Sequence, residues 1–306
     1  MKVLVATEKP FAKAAVNGIT EIVEKADFEL VLLEKYTDKA QLLEAVADVD
    51  ALIIRSDKVT KEVVDAANNL KIVVRAGAGY DNVDLEACSA KGIVVMNTPG
   101  QNSNAVAELA IGMMIFMSRN QFTPGTGKEI SGKRLGIHAY GNVGRIVGKY
   151  AKALGMEVYA FDPFANPEIF KEDDVTVVDS VEALYSSCDF ISVNIPATPE
   201  TKKSLNYSLL SQLPKGATIV NTARKEVINE EELVKLLEER DDIKYITDIA
   251  ADNQAELNEK FGKRVFGTPK KMGAETAEAN INAGLAAARQ IVDFLVNGNT
   301  KFQVNK

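Results

Sequence analysis

One segment of this chain constrains its fold more than any other: residues 133–162 have the pattern of a strand, a glycine-rich turn, a helix and a second strand. The turn reads AYGNVG over 139–144, and Asp162 ends the second strand, 18 residues after Gly144. Such a turn lets backbone N–H groups at a helix N-terminus approach a pyrophosphate, whose charge the helix dipole favours. The spaced carboxylate suits the ribose hydroxyls of an adenosine and repels a 2′-phosphate. The segment therefore predicts a dinucleotide site that takes NAD rather than NADP.

The turn departs from the usual Gly-x-Gly-x-x-Gly pattern at its first position, Ala139, which permits a tight turn less freely than glycine. A strand–turn–helix corner without any ligand can show the same glycine spacing, so the flanking strands and Asp162 support the prediction more than the glycines do. The turn begins beyond residue 135, which indicates that another folded unit precedes it.

Composition excludes several classes of protein. The 306 residues, 46% of them hydrophobic, suffice for two domains, and the net charge of −7 is a poor match for nucleic acid or an anionic membrane. Cys88 and Cys188 form no CxxC pair, and the N-terminal apolar run is too short for a signal peptide. We therefore expect a cytoplasmic protein that binds a small molecule, with no predicted metal ligands and no disulfide framework.

A nearly all-apolar helix is predicted over 105–117. It is too short to span a bilayer and it carries Glu108. A helix that is apolar on nearly all sides must be buried on nearly all sides. We expect its own sheet to cover one side and a second subunit the other, which predicts a homodimer.

Strands and amphipathic helices alternate along most of the chain, which predicts an α/β protein with two doubly wound parallel sheets. The first, flavodoxin-like series has strands at 3–6, 29–33, 51–55, 72–75 and 93–96, with helices such as 10–24 and 61–67 between them. The second, Rossmann-like series has strands at 135–138, 157–161, 190–194, 218–221 and 245–248, and a last helix spans 280–296. Two such domains are expected to leave a ligand cleft beside their strand ends.

Polar clusters follow these strands: RSDK at 55–58, RAGAGYDN at 75–82, NTARK at 221–225, TDIAAD at 247–252 and TPKKMGAET at 268–276. Together with GIVVMNTPGQNSNAVAELAIGMM at 92–114, they resemble the D-isomer-specific 2-hydroxyacid dehydrogenase family, and within it most closely its short phosphoglycerate-oxidising members. The resemblance implies a substrate domain of 1–98 plus 281–306 and an NAD-binding Rossmann domain of 99–280. It also implies NAD-dependent oxidation of D-3-phosphoglycerate to 3-phosphohydroxypyruvate, the first step of serine biosynthesis.

Arg224 presents a fork that can hold a 2-keto acid carboxylate by two hydrogen bonds, although a surface ion pair with Glu226 is the alternative. Asp248 matches the family's nicotinamide contact, with a helix N-cap as its alternative. The predicted substrate-binding residues are Arg55, Ser56, Gly77, Ala78, Gly79 and Asn102. The predicted cofactor-binding residues are Ala78, Gly141, Asn142, Val143, Asp162, Ile195, Thr222, Ala223, Arg224, Asp248, Gly273 and Ala274.

The chain departs from the family at its catalytic pair. The family's Glu position is Asn253 here, and its His position is Lys271, preceded by Lys270; His138, the only histidine, is predicted to be structural. A lysine can replace the imidazole if burial and nearby cations, with Arg224 and Lys270 as candidates, lower its pKa from about 10.4. Loss of the Glu fits this hypothesis, because a carboxylate nearby would raise that pKa. The alternative is a solvated Lys270–Lys271 pair.

Three functions remain open at this stage. A cluster of cations at predicted strand ends favours a phosphorylated substrate; its members are Arg55, Lys58, Arg75, Arg224, Lys225, Lys270 and Lys271. A hydroxypyruvate or glyoxylate reductase of the same family is the second reading, and a non-catalytic NAD-sensing protein is the third. The chain ends soon after its last predicted helix, so we expect no inhibition by serine through the regulatory domain of longer relatives.

Overall fold

The computed structural model describes residues 1–305, which form two compact units. The first unit is Met1–Asn102 together with 276–305, and the second is Ser103–Glu275. Among the described residues, no helix combines the length and the apolar character that crossing a bilayer requires.

The first unit contains a five-stranded parallel sheet in the order β2-β1-β3-β4-β5, which is the flavodoxin-like order. Its strands are β1 (Lys2–Thr7), β2 (Glu29–Glu34), β3 (Ala51–Ile54), β4 (Ile72–Arg75) and β5 (Val94–Asn97). Its helices are α1 (Lys13–Glu24), α2 (Lys39–Val46), α3 (Lys61–Ala66), α4 (Leu85–Ala90) and, from the end of the chain, α12 (Ala277–Asn297).

Helices cover both faces of this sheet, so its strands are apolar on both sides. Val3 of β1 packs in one core with Ile19 of α1 and Ile291 of α12. Its neighbour Leu4 packs in the opposite core with Val46 of α2 and Val63 of α3. This alternation leaves the ends of the strands as the places where polar side chains can gather.

The second unit contains a seven-stranded parallel sheet in the order β12-β11-β10-β9-β6-β7-β8. Its strands are β6 (Arg134–His138), β7 (Glu157–Phe161), β8 (Thr176–Val177), β9 (Phe190–Val193), β10 (Thr218–Asn221), β11 (Lys244–Thr247) and β12 (Val265–Gly267). Its helices are α5 (Ser103–Ser118), α6 (Asn142–Ala153), α7 (Pro167–Glu172), α8 (Val181–Ser187), α9 (Tyr207–Leu210), α10 (Glu230–Glu239) and α11 (Gln254–Phe261), and 3-10 turns lie at Asn120–Phe122, Lys225–Val227 and Gly262–Arg264.

The strand order reverses direction between β6 and β9, which makes this the switch point at which such sheets bind ligands. On one side of β6, Ile137 packs with Met114 of α5 and Val147 of α6. The glycine-rich turn follows β6 directly, so the sheet places it at the switch point.

The predicted α/β class with two doubly wound parallel sheets is confirmed. Three predicted strands were one residue too long, because 55, 194 and 248 belong to the loops that follow β3, β9 and β11. The helix predicted over 10–24 begins only at Lys13. The short strands β8 and β12 were missed, since β8 is two exposed residues and β12 only three residues long.

Candidate active site

The glycine-rich turn joins β6 to α6. It forms a tight turn even though its first position is alanine instead of glycine. Ala139, at the first position of the motif, has φ +74°, a left-handed conformation that alanine adopts at a cost. Gly141 is the N-cap of α6, and Asn142 and Val143 form its first residues. A Cβ on Gly144 would lie 2.4 Å from the Ala139 carbonyl oxygen, so only glycine allows the helix to start this close to the strand.

Asp162 is tied to the same turn. Its Oδ2 accepts a hydrogen bond from the Tyr140 backbone N–H at 2.9 Å, and its Oδ1 accepts one from the Phe164 N–H at 2.9 Å. A carboxylate has about four lone-pair sites, so two remain for other donors. The turn and the carboxylate therefore form one fixed unit that offers N–H groups to an anion and acceptors to hydroxyls.

The strand ends beside this turn contain buried polar atoms with unused hydrogen-bonding capacity. Within residues 1–305, Thr222 Oγ1 and Asn194 Oδ1 are buried and have no hydrogen-bond partner. Such groups are rare in folded proteins and usually point to a missing partner. Ile195 is buried next to Asn194, after β9. This edge of the sheet therefore has polar atoms ready for a ligand.

Arg224 lies in the loop after β10, which the Asn221 side chain holds in place. Asn221 Nδ2 donates to the Arg224 carbonyl at 3.1 Å, and its Oδ1 accepts from the Ala223 N–H at 3.0 Å. In the part of the chain described, the Arg224 guanidinium donates to the Ala223 carbonyl at 3.1 Å and forms no ion pair with Glu226. The surface ion pair considered as an alternative for Arg224 is therefore not formed among residues 1–305.

Lys271 reaches the same backbone carbonyl. Its Nζ donates to the Ala223 oxygen at 2.6 Å and lies 3.4 Å from Asp248 Oδ1. The Lys271 side chain is 34% exposed. Burial is the largest effect and lowers the pKa of Lys271; Asp248 raises this pKa, and Arg224 lowers it. Lys270 is exposed. The structure thus places Lys271, rather than Lys270, beside Arg224.

Asp248 is completely buried at the end of β11, and burial raises the pKa of its carboxyl. It is not a helix N-cap, because Asn253 occupies that position for α11. Lys271 therefore has a carboxylate neighbour even though the family's Glu is replaced by Asn253. The sequence could not show this contact, since it arises from the parallel pairing of β11 with β12, which brings the loop carrying Lys271 beside Asp248.

His138 ends β6, with its Nδ1 3.2 Å from the Tyr185 hydroxyl. Burial lowers the pKa of His138 to about 4, so the ring is neutral at pH 7. This placement is that of a packed strand-end residue.

In the first unit, the loop after β3 carries a partly buried guanidinium. Arg55 donates to the Lys9 carbonyl at 3.3 Å, hydrogen-bonds Asn280 Oδ1 and lies over the Phe11 ring. Asn82 Nδ2 donates to the Arg55 carbonyl at 3.1 Å and so fixes the loop. Ser56 and Lys58 are exposed on it. Arg55 is therefore held by several elements of its unit.

The 77–79 turn follows β4. Gly77 has φ +151°, and a Cβ there would overlap the Arg75 guanidinium, 1.5 Å from Nη1. Asn97 Nδ2 donates to the Ala78 carbonyl at 2.6 Å, which ties the turn to the end of β5. Ala78 is exposed, and Gly79 and Asn102 are half-buried. Both predicted substrate loops of this unit thus follow neighbouring strands, β3 and β4.

Residues 110–269 match the family model described as "D-isomer specific 2-hydroxyacid dehydrogenase, NAD binding domain", which is about half of the chain. The chain belongs to this family. A D-3-phosphoglycerate dehydrogenase of Methanocaldococcus jannaschii is 37% identical over 83% of this chain and 51% of the relative. A hydroxypyruvate reductase of Thermotoga maritima is 39% identical over 67% of this chain and 70% of the relative. This family member thus spans about half the length of its archaeal relative.

The solved structures agree with this family assignment. The crystal structure of NAD⁺-bound 3-phosphoglycerate dehydrogenase from Entamoeba histolytica is 51% identical, covers 100% of this chain and 99% of its own, and superposes with a TM-score of 0.89. D-lactate dehydrogenase of Escherichia coli, 25% identical with a TM-score of 0.78, shares the fold at greater distance.

The predicted residues of the second unit gather at the C-terminal edge of its sheet, where Gly273 is buried and Ala274 half-buried beside Asp248. Sequence reasoning gave no supporting role to Asn82, Asn97, Asn194 or Asn221, and it did not single out the Ala223 carbonyl as an acceptor that two cations share. Asn97, Asn194 and Asn221 had one available signal, because each stands at or just after a predicted strand end, whereas Asn82 lies seven residues beyond the strand predicted over 72–75.

Proposed function

We propose that this dehydrogenase oxidises the C2 hydroxyl of D-3-phosphoglycerate with NAD. The observation that carries the proposal is the pair of cations on one carbonyl: Arg224 and Lys271 both donate to Ala223, beside the buried Asp248. One fixed cation and one titratable amine are what oxidation of a 2-hydroxy acid requires. The archaeal relative and the 51% identical solved structure, both named as phosphoglycerate dehydrogenases, support the substrate.

The residues of the second unit fit NAD. Asn142, Val143 and the N-terminus of α6 would hold the pyrophosphate, Asp162 the adenosine ribose, and Thr222 Oγ1 a polar group of the nicotinamide half. The close approach at Gly144 and the unpartnered Thr222 hydroxyl are the features that favour a ligand over a plain structural corner. Bound NAD supplies the acceptor for the hydride that leaves C2.

The side chains supply proton transfer and orientation. Neutral Lys271 takes the hydroxyl proton as the C2–H bond breaks, and in the reverse direction its ammonium returns that proton to the keto oxygen. The forked guanidinium of Arg224 binds the substrate carboxylate and stabilises the negative charge that develops on the C2 oxygen. The lowered pKa of Lys271 makes its neutral form more accessible near pH 7 than that of an exposed lysine.

The first unit supports a phosphorylated substrate. We propose that residues 1–98 with 281–306 bind the substrate and that 99–280 bind the cofactor. Arg55 and Arg75 bring two guanidinium groups to the ends of neighbouring strands β3 and β4, and Arg75 Nε donates to the Arg55 carbonyl at 3.1 Å. Guanidinium groups suit phosphate geometrically, and this pair is the main reason to prefer a phosphate-bearing acid.

A homodimer through α5 is the proposed assembly. Most of α5 is buried in its own unit, but Gly112 is exposed, and a Cβ there would meet open space. Beside it lie Ile115 and Phe116, with Phe122, 69% exposed, edge-on to Phe116. A second copy of the same helix can approach closely at the glycine and cover these side chains. Ile115→Asp is expected to convert the dimer to a monomer in light scattering; an unchanged mass would refute the interface.

An absorbance assay at 340 nm tests the function. Reduction of NAD with D-3-phosphoglycerate, at a kcat/KM at least tenfold above that for glycerate, supports the proposal. The Thermotoga maritima relative favours hydroxypyruvate reduction as the second candidate, which predicts faster NADH oxidation with hydroxypyruvate than with its phosphate ester. Tight NAD binding without turnover of any of these substrates would support the NAD-sensing alternative.

A further inference from the structure

We propose that Asp248 is the positioning residue of Lys271 and the partner of its charge, taking the part that a Glu at position 253 plays in the family. The inference rests on the proposed function, because it concerns the lysine that the proposal places at the substrate hydroxyl. The Asp248 carboxylate both holds the Lys271 amine in place and balances its charge when it is protonated.

Three consecutive residues are bound to Asp248. Lys271 Nζ lies 3.4 Å from its Oδ1, the Met272 N–H donates to its backbone carbonyl at 3.2 Å, and the Gly273 N–H donates to its Oδ2 at 2.9 Å. The Asp248 side chain is 0% exposed, so both oxygens are committed within the protein. A single residue therefore fixes the whole segment that carries the lysine.

Gly273 lies directly against the Asp248 carboxylate. A Cβ on Gly273 would lie 2.7 Å from Asp248 Oδ2 and 3.2 Å from Val106 Cγ2. Any side chain at 273 must therefore displace either α5 or the carboxylate. Glycine at position 273 therefore allows the backbone of this segment to pack directly against Asp248.

Asn253 does not take this part. It is the N-cap of α11, and its buried Oδ1 has no hydrogen-bond partner in the described residues. The adjacent Asp252 is exposed and binds Lys225 instead. Asp248 is thus the carboxylate in contact with the amine.

The charges around Lys271 oppose one another. Asp248 and Glu226 raise the pKa of Lys271, whereas burial, the largest effect, and Arg224 lower it. When neutral Lys271 accepts a proton, the resulting ammonium lies beside the Asp248 carboxylate and the Ala223 carbonyl, which stabilise it. Removing the charge of Asp248 leaves burial and Arg224 with less opposition, so the pKa of Lys271 must fall.

The first test needs neither cofactor nor substrate. Asp248→Asn keeps the shape of the side chain and removes its charge, and Asp252→Asn removes a carboxylate four residues away as the matched control. Acetylation of Lys271 by limiting acetic anhydride is followed against pH by peptide mass spectrometry. The midpoint should move down by about one pH unit in Asp248→Asn and stay in place in Asp252→Asn.

Gly273→Ala provides a second variant, because its Cβ displaces the carboxylate without altering any charge. Its labelling midpoint should move in the same direction by a smaller amount. An unchanged midpoint in a folded Asp248→Asn protein, or an equal shift in Asp252→Asn, would overturn the proposal. If Asp248→Asn does not fold, an unchanged midpoint in Gly273→Ala would overturn it in the same way.

The kinetic test separates positioning from simple support of the fold. With saturating NAD and 3-phosphoglycerate, the rising limb of kcat against pH should move down by the same shift in Asp248→Asn, and the plateau should fall at least tenfold. A lower plateau with an unmoved limb contradicts the proposal. Absence of turnover in the wild type would refute the proposed function, whereas the labelling test would still decide the pairing of Asp248 with Lys271.

Discussion

Two strand-end loops of this protein, 55–57 in the first unit and 271–273 in the second, each present a cation in a different way. Arg55 is held by the Lys9 carbonyl, Asn280 and the Phe11 ring, and a guanidinium stays charged at every physiological pH. Lys271 is held against the Ala223 carbonyl and the buried Asp248, where burial lowers its pKa. The first arrangement suits the binding of a permanent anion, and the second suits reversible proton transfer.

The largest expected effect tests the titratable loop. Lys271→Ala should lower kcat for 3-phosphoglycerate oxidation by about 10²–10⁴-fold, because it removes the proposed general base. NAD affinity, measured by fluorescence titration, should change little. Lys270→Ala is the matched control and should keep kcat within about twofold, since Lys270 is exposed. Equal losses in the two variants would contradict the placement of Lys271.

The permanent charge is tested by Arg55→Gln. It should raise KM for 3-phosphoglycerate about 10–100-fold, since a hydrogen bond to a charged group is worth about 1.5–3 kcal/mol. The reverse reaction with unphosphorylated hydroxypyruvate should show no comparable change. Lys61→Gln, which removes an exposed cation six residues further along the chain that is paired with Asp65, serves as the control. Equal effects on both substrates would show that Arg55 supports the fold and not the phosphate.

The two loops also differ in their expected response to pH. The proposed mechanism requires neutral Lys271 for oxidation. The initial rate of oxidation should therefore rise about tenfold per pH unit below the pKa of Lys271 and level off above it, at a pH under the usual lysine value of about 10.4. Reduction needs the ammonium, so its rate should fall through the same pKa. Arg55→Gln should leave both midpoints unchanged. Oxidation and reduction profiles that rise together would contradict this assignment.

The smallest effect concerns the glycine turn. Ala139→Gly should stabilise the protein by about 0.5–1 kcal/mol, because φ is +74° at this residue and glycine accepts it without strain. Ala183→Gly, within α8, should destabilise by about the same amount. Thermal melting followed by circular dichroism measures both. A loss of stability in Ala139→Gly would show that the alanine methyl group contributes more to packing than its conformation costs.

The sequence sufficed for the features that depend on local pattern. Alternating apolar strands and helices predict both sheets, and the glycine spacing with Asp162 predicts the β6–α6 corner. Ala139 could not be predicted in the same way. The identity of a residue determines only how much a left-handed conformation costs, and not whether the chain adopts it. The turn forms here because Gly144 and the hydrogen bond from the Ala139 N–H to Phe161 fix it.

The features that the sequence concealed are tertiary. Asp248 and Lys271 are 23 residues apart, and only the pairing of β11 with β12 brings them together. The same holds for Arg55 and Asn280, which are 225 residues apart. The Asn at position 253 gave no indication that Asp248 lies beside Lys271, because spacing along the chain does not show which strands are neighbours.

The shared use of the Ala223 carbonyl by Arg224 and Lys271 has a consequence for how this enzyme can be studied. A peptide oxygen is common to all twenty amino acids, so no scan of codon changes at position 223 removes it. An amide-to-ester exchange between residues 223 and 224, introduced by chemical ligation or a hydroxy-acid monomer, would weaken that acceptor while leaving every side group intact. Backbone ester substitution, rather than side-chain mutagenesis at position 223, therefore tests the carbonyl that both cations share.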